Sequence, residues 1–209
     1  MTYKEIGFRG LYHTFVAIEL TDDLRPLIKG FPGEEDANGL LVYGYIDHEA
    51  GFTFEILATG TFFKEWSGFT SATEGNDEIR AFIRAEKIED YTIYNINPNE
   101  ELLSELFAKK LNILEAYEPS EDIFETRKMD FLDEARDPVY VDDVLVCFVK
   151  DGLEAEACWV RIESLSEHEI NGILLNEPDQ DFGCHEGDMV SFSVQKTEEG
   201  QFIPFTHII

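Results

Sequence analysis

Apolar and polar positions alternate over residues 11–20 well enough to predict a β-strand, and residues 40–46 and 52–57 are strand-like runs. The last two runs are joined by Asp47-His48-Glu49-Ala50-Gly51, a loop of hairpin size. Residues 29–39, where Pro32 and two glycines surround Glu34-Glu35-Asp36, read as an exposed loop. Residues 59–75 are rich in Gly, Ser and Thr and carry Phe62, Phe63, Trp66 and Phe69. They read as an irregular loop that packs its rings downward, with room for a strand inside it.

The period then lengthens. Asn76 is placed to cap a helix running to Lys87, with Ile79, Phe82 and Ile83 on one face. A short strand is expected over 91–96. Asn97, Pro98 and Glu100 follow as N-cap, first helical residue and third, and predict a helix over 98–117. Its Leu102, Leu103, Leu106, Phe107, Leu111 and Leu114 form a wide apolar arc suited to a sheet. Pro119-Ser120 ends that segment and caps a further helix over 121–136, which Asp137-Pro138 stops.

From Val139 the two-residue period returns. Strands are expected at 144–149, 157–162, 169–175, 189–194 and 202–205, the first two flanking Asp151-Gly152 and the fourth introduced by Gly187-Asp188. The class is α+β. Residues 1–137 form a region with a sheet and two or three helices, and residues 138–209 a small antiparallel β-rich domain resembling a partly open barrel.

Charge narrows the functions this frame can serve. Asp and Glu number 44 against 16 Lys and Arg, a formal −28 over 209 residues, while 44% apolar and 13% aromatic residues exclude a disordered chain. Such a field repels phosphate backbones and anionic lipid surfaces, so neither nucleic acid nor membrane is expected as a partner, and a basic protein is. The one basic dipeptide of note, Lys109-Lys110, falls late in a predicted helix, where cations suit the helix dipole. The acidity serves either solubility or a dedicated binding face. Residues 1–20 lack a basic stretch followed by an apolar run, so no leader is expected. Three sparse cysteines suit a reducing cytoplasm.

Candidate chemistry is thin. With 44 carboxylates, chance supplies many acid–base pairs, and none is singled out. There is no G-x-S-x-G, H-E-x-x-H, phosphate-binding loop or G-x-G-x-x-G, so no catalytic residue and no cofactor are expected. If the loop after Lys150 spans Asp151 to Glu154, Cys147 and Cys158 lie opposite each other, and Cys184-His185 complete a zinc-like set. The competing reading makes both cysteines small buried apolar residues. Asp179-Gln180-Asp181 opens like a calcium loop but lacks the glycine at six and the glutamate at twelve, which is Val190. Cys184 and His185, as neighbours on a strand, would point to opposite faces. A base for a cysteine nucleophile would then be His13, His48, His168 or His207, reached through space. Trp159, alternating with Cys158 and Val160, is either a partner anchor beside Arg161 or the cover of a small core.

Three segments carry a resemblance: Ala157-Cys-Trp159-Val160-Arg161-Ile162, Asn171-Gly172-Ile-Leu-Leu-Asn176-Glu177-Pro178, and Glu186-Gly187-Asp188-Met-Val190-Ser-Phe192. This order, over about residues 135–205, resembles an uncharacterised family of small bacterial domains, domain of unknown function 2314. The resemblance implies an interaction role of the kind found near toxin-immunity loci, and no catalytic residue. The expected function is therefore a cytoplasmic, non-catalytic module, of the immunity-inhibitor type, that binds a basic partner. Its expected face is Trp159 with Glu177, Asp179, Asp181, Glu186 and Asp188. The alternative is a small-ligand protein or enzyme whose pocket is walled by the aromatic segment 62–69.

Overall fold

Asp47 closes the first hairpin by accepting the backbone N–H of Glu49 at 3.2 Å and of Ala50 at 3.1 Å, and Gly51 supplies the left-handed conformation the turn needs. The structure, a computed structural model, describes residues 1–64, 68–71, 79–96, 99–167 and 169–208. The chain divides into two units, Met1–Glu118 and Pro119–Ile209.

The first unit runs α1 (Tyr3–Ile6), β1 (Phe15–Glu19), β2 (Gly39–Asp47), β3 (Gly51–Phe63), β4 (Gly68–Ser71), β5 (Phe82–Arg84), β6 (Ile93–Tyr94), α2 (Glu100–Leu106) and α3 (Ala108–Leu114). Among the described residues its strands form one antiparallel sheet in the order β4-β3-β2-β1-β6. The short β5 shares with β4 the outer edge of β3. Paired on both edges, β3 is buried from Gly51 to Gly60.

That double pairing corrects two expectations. The aromatic segment after residue 59 is not an irregular loop: β3 continues to Phe63, and Gly68–Ser71 returns as β4 in register with Gly60 to Phe63. The helix expected over 76–87 is absent from its described part, because Phe82–Arg84 pairs with Thr53 to Glu55 as β5. Residues 76–78 of that expectation lie outside the described residues, as do Trp66, Asn97 and Pro98.

The long helix is broken. Phe107 leaves helical geometry at φ −106° and ψ 17°, separating α2 from α3, and its ring is fully buried with Phe15, Leu41 and Leu57. The observed cap of α2 is Asn99, whose side chain accepts Leu102 N–H at 3.1 Å. Leu102 and Leu106, expected to be covered, are exposed.

Between β2 and β3 the register slips at Leu41/Val42, which leaves Leu57 as an extra residue in β3. Lys110 of α3, fully buried, donates from Nζ to the carbonyls of Ile56 (2.9 Å) and Leu57 (3.2 Å), and lies over the Phe31 ring. A bulge interrupts the regular ladder, and this ammonium bonds two carbonyls at that point.

The second unit begins with α4 (Glu121–Lys128), capped by Ser120 Oγ accepting Ile123 N–H at 3.3 Å; this helix stops well short of the expected residue 136. Strands β7 (Asp143–Val149), β8 (Glu156–Leu165), β9 (Ile170–Leu174), β10 (Met189–Lys196) and β11 (Phe202–His207) follow as an up-and-down meander. The expected partly open antiparallel barrel is instead closed, because β11 pairs with β7 in parallel through Phe205↔Cys147, Thr206↔Phe148 and His207↔Val149. With five alternating strands the first and last run the same way, so closure makes one parallel seam. Val144, Val146 and Phe148 of β7 meet Cys158, Val160 and Ile162 of β8 inside, and Ile123 of α4 joins the same core. Gly172 sits where β8 and β9 shift register. An added Cβ there would stand 2.3 Å from the Arg161 carbonyl oxygen.

The architecture is therefore sheet-rich α+β with few helices. Among the described residues no helix is long and apolar enough to cross a membrane.

Candidate functional site

The acidic turn between β9 and β10 is built on β8. Asn176 Oδ1 accepts Trp159 N–H at 2.7 Å, and the Glu156 carboxylate accepts the N–H groups of Asp179 (2.7 Å) and Gln180 (3.3 Å). Glu177 spans the turn, with Oε1 at 2.7 Å from His185 Nδ1 and Oε2 accepting Glu186 N–H at 3.0 Å. Asp188 accepts His185 N–H at 2.8 Å, and Asp181 accepts Gly183 N–H at 3.1 Å. All five expected carboxylates are exposed. Glu177, Asp181 and Asp188 hold the turn's shape. Asp179 and Glu186 make no side-chain hydrogen bond or ion pair among the described residues and face water.

Trp159 is half-buried and points away from the barrel core, since Cys158 and Val160 on either side of it are the inward positions. It lies across from the exposed Leu145, and Arg161 on its face is held by a two-point ion pair to Asp143, at 2.7 and 3.0 Å. The backbone N–H and C=O of Trp159 both bond to residues 175–176, so the turn is fixed to the strand that carries the tryptophan.

The pair Glu177–His185 makes the turn sensitive to pH. The hydrogen bond from Glu177 raises the His185 pKa above its ordinary 6.5, and the same bond, with Glu186 N–H, lowers that of Glu177 below 4.5. A raised histidine pKa contributes stability present below 6.5 and lost as pH rises through the folded value. A lowered carboxylate pKa contributes stability present above 4.5 and lost as pH falls through the folded value. The turn should therefore be best ordered between those limits. Titration of His185 followed by NMR should show a pKa above 6.5, which Glu177→Gln returns to the ordinary range.

The cysteines do not form the zinc-like set that a four-residue loop would have allowed. Val146, not Cys147, faces Cys158, and Cys147 faces Ala157. Cys158 therefore points into the barrel and Cys147 away from it, and no metal-holding cluster of His, Cys, Asp and Glu occurs among the described residues. Burial raises the Cys158 thiol to about 11 and also raises Cys184, which keeps both protonated and weakly nucleophilic.

The aromatic segment contributes unevenly to a pocket. Phe62 is buried against Tyr94 at 4.2 Å, whereas Phe69 borders a cavity of about 220 Å³ with Leu41, Ile96, Leu103 and Phe107. No His or Cys lines it among the described residues.

A second cleft was not anticipated from the sequence, except that His13 was among the possible bases. His13 and Thr14 together face Gly44: His13 N–H donates to the Gly44 carbonyl at 2.9 Å, and Gly44 N–H donates to Thr14 O at 3.2 Å. Gly44 has to lack a Cβ, because one built there would stand 2.2 Å from Leu11 O. This close approach holds His13 at φ 55°, the one non-glycine residue with positive φ among the described residues. Its ring stacks on Tyr12 at 3.8 Å and lies nearly parallel to Tyr43 at 5.9 Å, while Nε2 reaches Glu118 Oε1 at 3.1 Å. Tyr43 and Tyr45, two apart on β2, share one face, and Tyr117 covers Tyr45 at 4.9 Å. Burial, with Glu118 next, lifts the Tyr43 phenol to about 12, and burial lifts Tyr45 further, so both remain neutral. The signal that could have found this cleft is the Tyr43-Gly44-Tyr45 triplet, since a glycine inside a strand marks close backbone approach.

No family model, curated protein or solved structure matches this chain.

Proposed function

We propose that this protein is a non-catalytic binding module that holds a basic protein on its acidic surface, in the manner of an immunity-type inhibitor. The observation that carries this reading is the asymmetric use of charge. Six of the 16 cations are committed to contacts within the fold: Arg80 to Glu55, Arg84 to Asp47, Arg127 to Asp142, Arg161 to Asp143, Arg136 to the Val141 and Thr126 carbonyls, and Lys110 to the β3 bulge. Each ion pair cancels one cation against one carboxylate, so the net charge of −28 resides on carboxylates that have no such partner. Carboxylates such as Asp179 and Glu186 remain exposed to a partner.

An acidic surface of this kind accelerates encounter with a basic protein and rejects acidic ones, with contact geometry setting the residence time. The resemblance of residues 135–205 to domain of unknown function 2314 supports the same reading. So does the outward, half-buried Trp159, because tryptophan is favoured where partners anchor.

The test begins with affinity capture from cell extract at low salt, released in salt steps. A single basic protein recovered near one-to-one is expected. The variant Asp179→Asn/Glu186→Gln removes charge without touching the bonds that shape the turn. It should slow association, weaken binding several-fold and flatten the salt dependence. Binding and salt slope unchanged in that variant would refute the face; an empty column at low salt would refute the function.

A further inference from the structure

The cleft at the end of β2, beside the start of β1, combines features that an acidic binding module does not need for solubility. About 50 Å³ of space is enclosed among Tyr12, His13, Tyr43, Tyr45, Tyr117 and Glu118, with Glu115 also on its wall. That volume is far below the range that holds a drug-sized molecule, and it suits one compact head group. Four tyrosines and His13 make up half of the wall, Ile46, Leu111 and Leu114 add an aliphatic part, and its only formal charges, apart from the histidine, are carboxylates.

Aromatic faces are electronegative and attract a cation held against them. Two neighbouring cations, Arg80 and Arg84, are already paired with Glu55 and Asp47 and leave the cleft's own charge negative. The rings are also preorganised. Tyr43 and Tyr45 are fixed by the β2 ladder, and His13 is fixed by the tight approach at Gly44. Holding a residue at positive φ costs stability, and such conformations cluster where a site must be shaped.

We infer that this cleft receives a single organic cation, the ammonium or guanidinium head of a lysine or arginine side chain on the basic partner, with Tyr43, Tyr45 and Tyr117 as its aromatic walls and Glu115 and Glu118 as its counter-charge. The inference rests on the proposed function and adds to it the chemical group that is recognised. Long-range acidity gathers basic partners without selection, and the cleft selects a side chain.

Two probe pairs test it. Choline and its uncharged isostere 3,3-dimethyl-1-butanol have nearly the same shape, so a difference between them reports charge against the rings. Choline should shift the ring NMR signals of Tyr117 and His13, and the alcohol should not. Tyr117→Leu should weaken choline binding by about 5- to 30-fold, whereas Tyr117→Phe should stay within about twofold. Tyr117 is partly exposed, so both variants should fold, as circular dichroism would verify. Equal binding of choline and the alcohol, or binding of neither, overturns the proposal.

The second pair is an arginine–glycine peptide and its citrulline counterpart. Loss of arginine-peptide affinity in Tyr117→Leu, at unchanged salt slope, supports a side-chain source. If that peptide binds Tyr117→Leu as tightly as the parent, and with the same salt dependence, the cleft assignment fails while the acidic-surface reading stands. If choline binds and the peptide does not, the cleft takes a free amine, and the side-chain source is overturned.

Discussion

Replacing Arg127 by leucine is expected to destabilise the second unit by about 3–5 kcal/mol, a large share of the stability of an ordinary domain. Arg127 of α4 grips Asp142 with two hydrogen bonds, at 2.9 and 2.6 Å, and the two side chains are 5% and 0% exposed. Neither charge has access to water. Removing the guanidinium strands a carboxylate in a dry site, which costs far more than the pair itself contributes. The double variant Arg127→Leu/Asp142→Leu should consequently be more stable than the single one, despite carrying one more change. Urea unfolding of the parent and both variants checks this, and the order parent, double, single is the expected ranking. The single variant should also loosen α4, whose Ile123 packs into the barrel core.

Lys110→Met should lower the stability of the first unit by about 2–3 kcal/mol. Methionine keeps the buried stem and deletes the ammonium, so the loss comes from its hydrogen bonds to Ile56 O and Leu57 O and its contact with the Phe31 ring. Those carbonyls belong to the bulged part of β3, where its register with β2 slips. Lys110→Ala should cost more, through the cavity left beneath Phe31. Hydrogen exchange gives a local reading of the same effect. Amides on either side of the β2/β3 slip should lose protection in Lys110→Met, and the barrel amides should not.

Lys110 also marks the border of what the sequence made legible. Lys109-Lys110 read as cations late in a helix and suited to its dipole, and only the location of the bulge shows why Lys110 is buried. Local chemistry read well where it was sufficient by itself. Asp47 and Gly51 announce the first hairpin, Ser120 caps its helix, and the two-residue period of β7 and β8 marks their inward faces.

Local chemistry failed where a distant strand decides. Ile79, Phe82 and Ile83 have the spacing of a helix face. Yet Ile83 is buried and its neighbour Phe82 exposed, the alternation of a strand fitted onto the free edge of β3. The cysteine pair failed by one residue. A four-residue loop would set Cys147 against Cys158, whereas the observed pairing of Cys147 with Ala157 turns the two thiols to opposite faces. The cleft could not be assembled at all from local pattern, because Tyr12, Tyr43 and Tyr117 are far apart in the chain and meet only through the β1/β2 pairing and the turn after α3.

The parallel seam between β7 and β11 has a consequence for how the protein is made. A ribosome releases β7 long before β11, and during that interval the 147–149 edge of β7 has no native partner, while 143–145 is already met by residues 135–137. At about 5–20 residues per second, the gap between residues 149 and 205 lasts on the order of several seconds. The first unit, whose sheet is complete once β6 emerges, can fold in the meantime. A nascent chain stalled before Phe205 would present an open apolar strand edge, the form of exposure that chaperones bind and that invites pairing between chains.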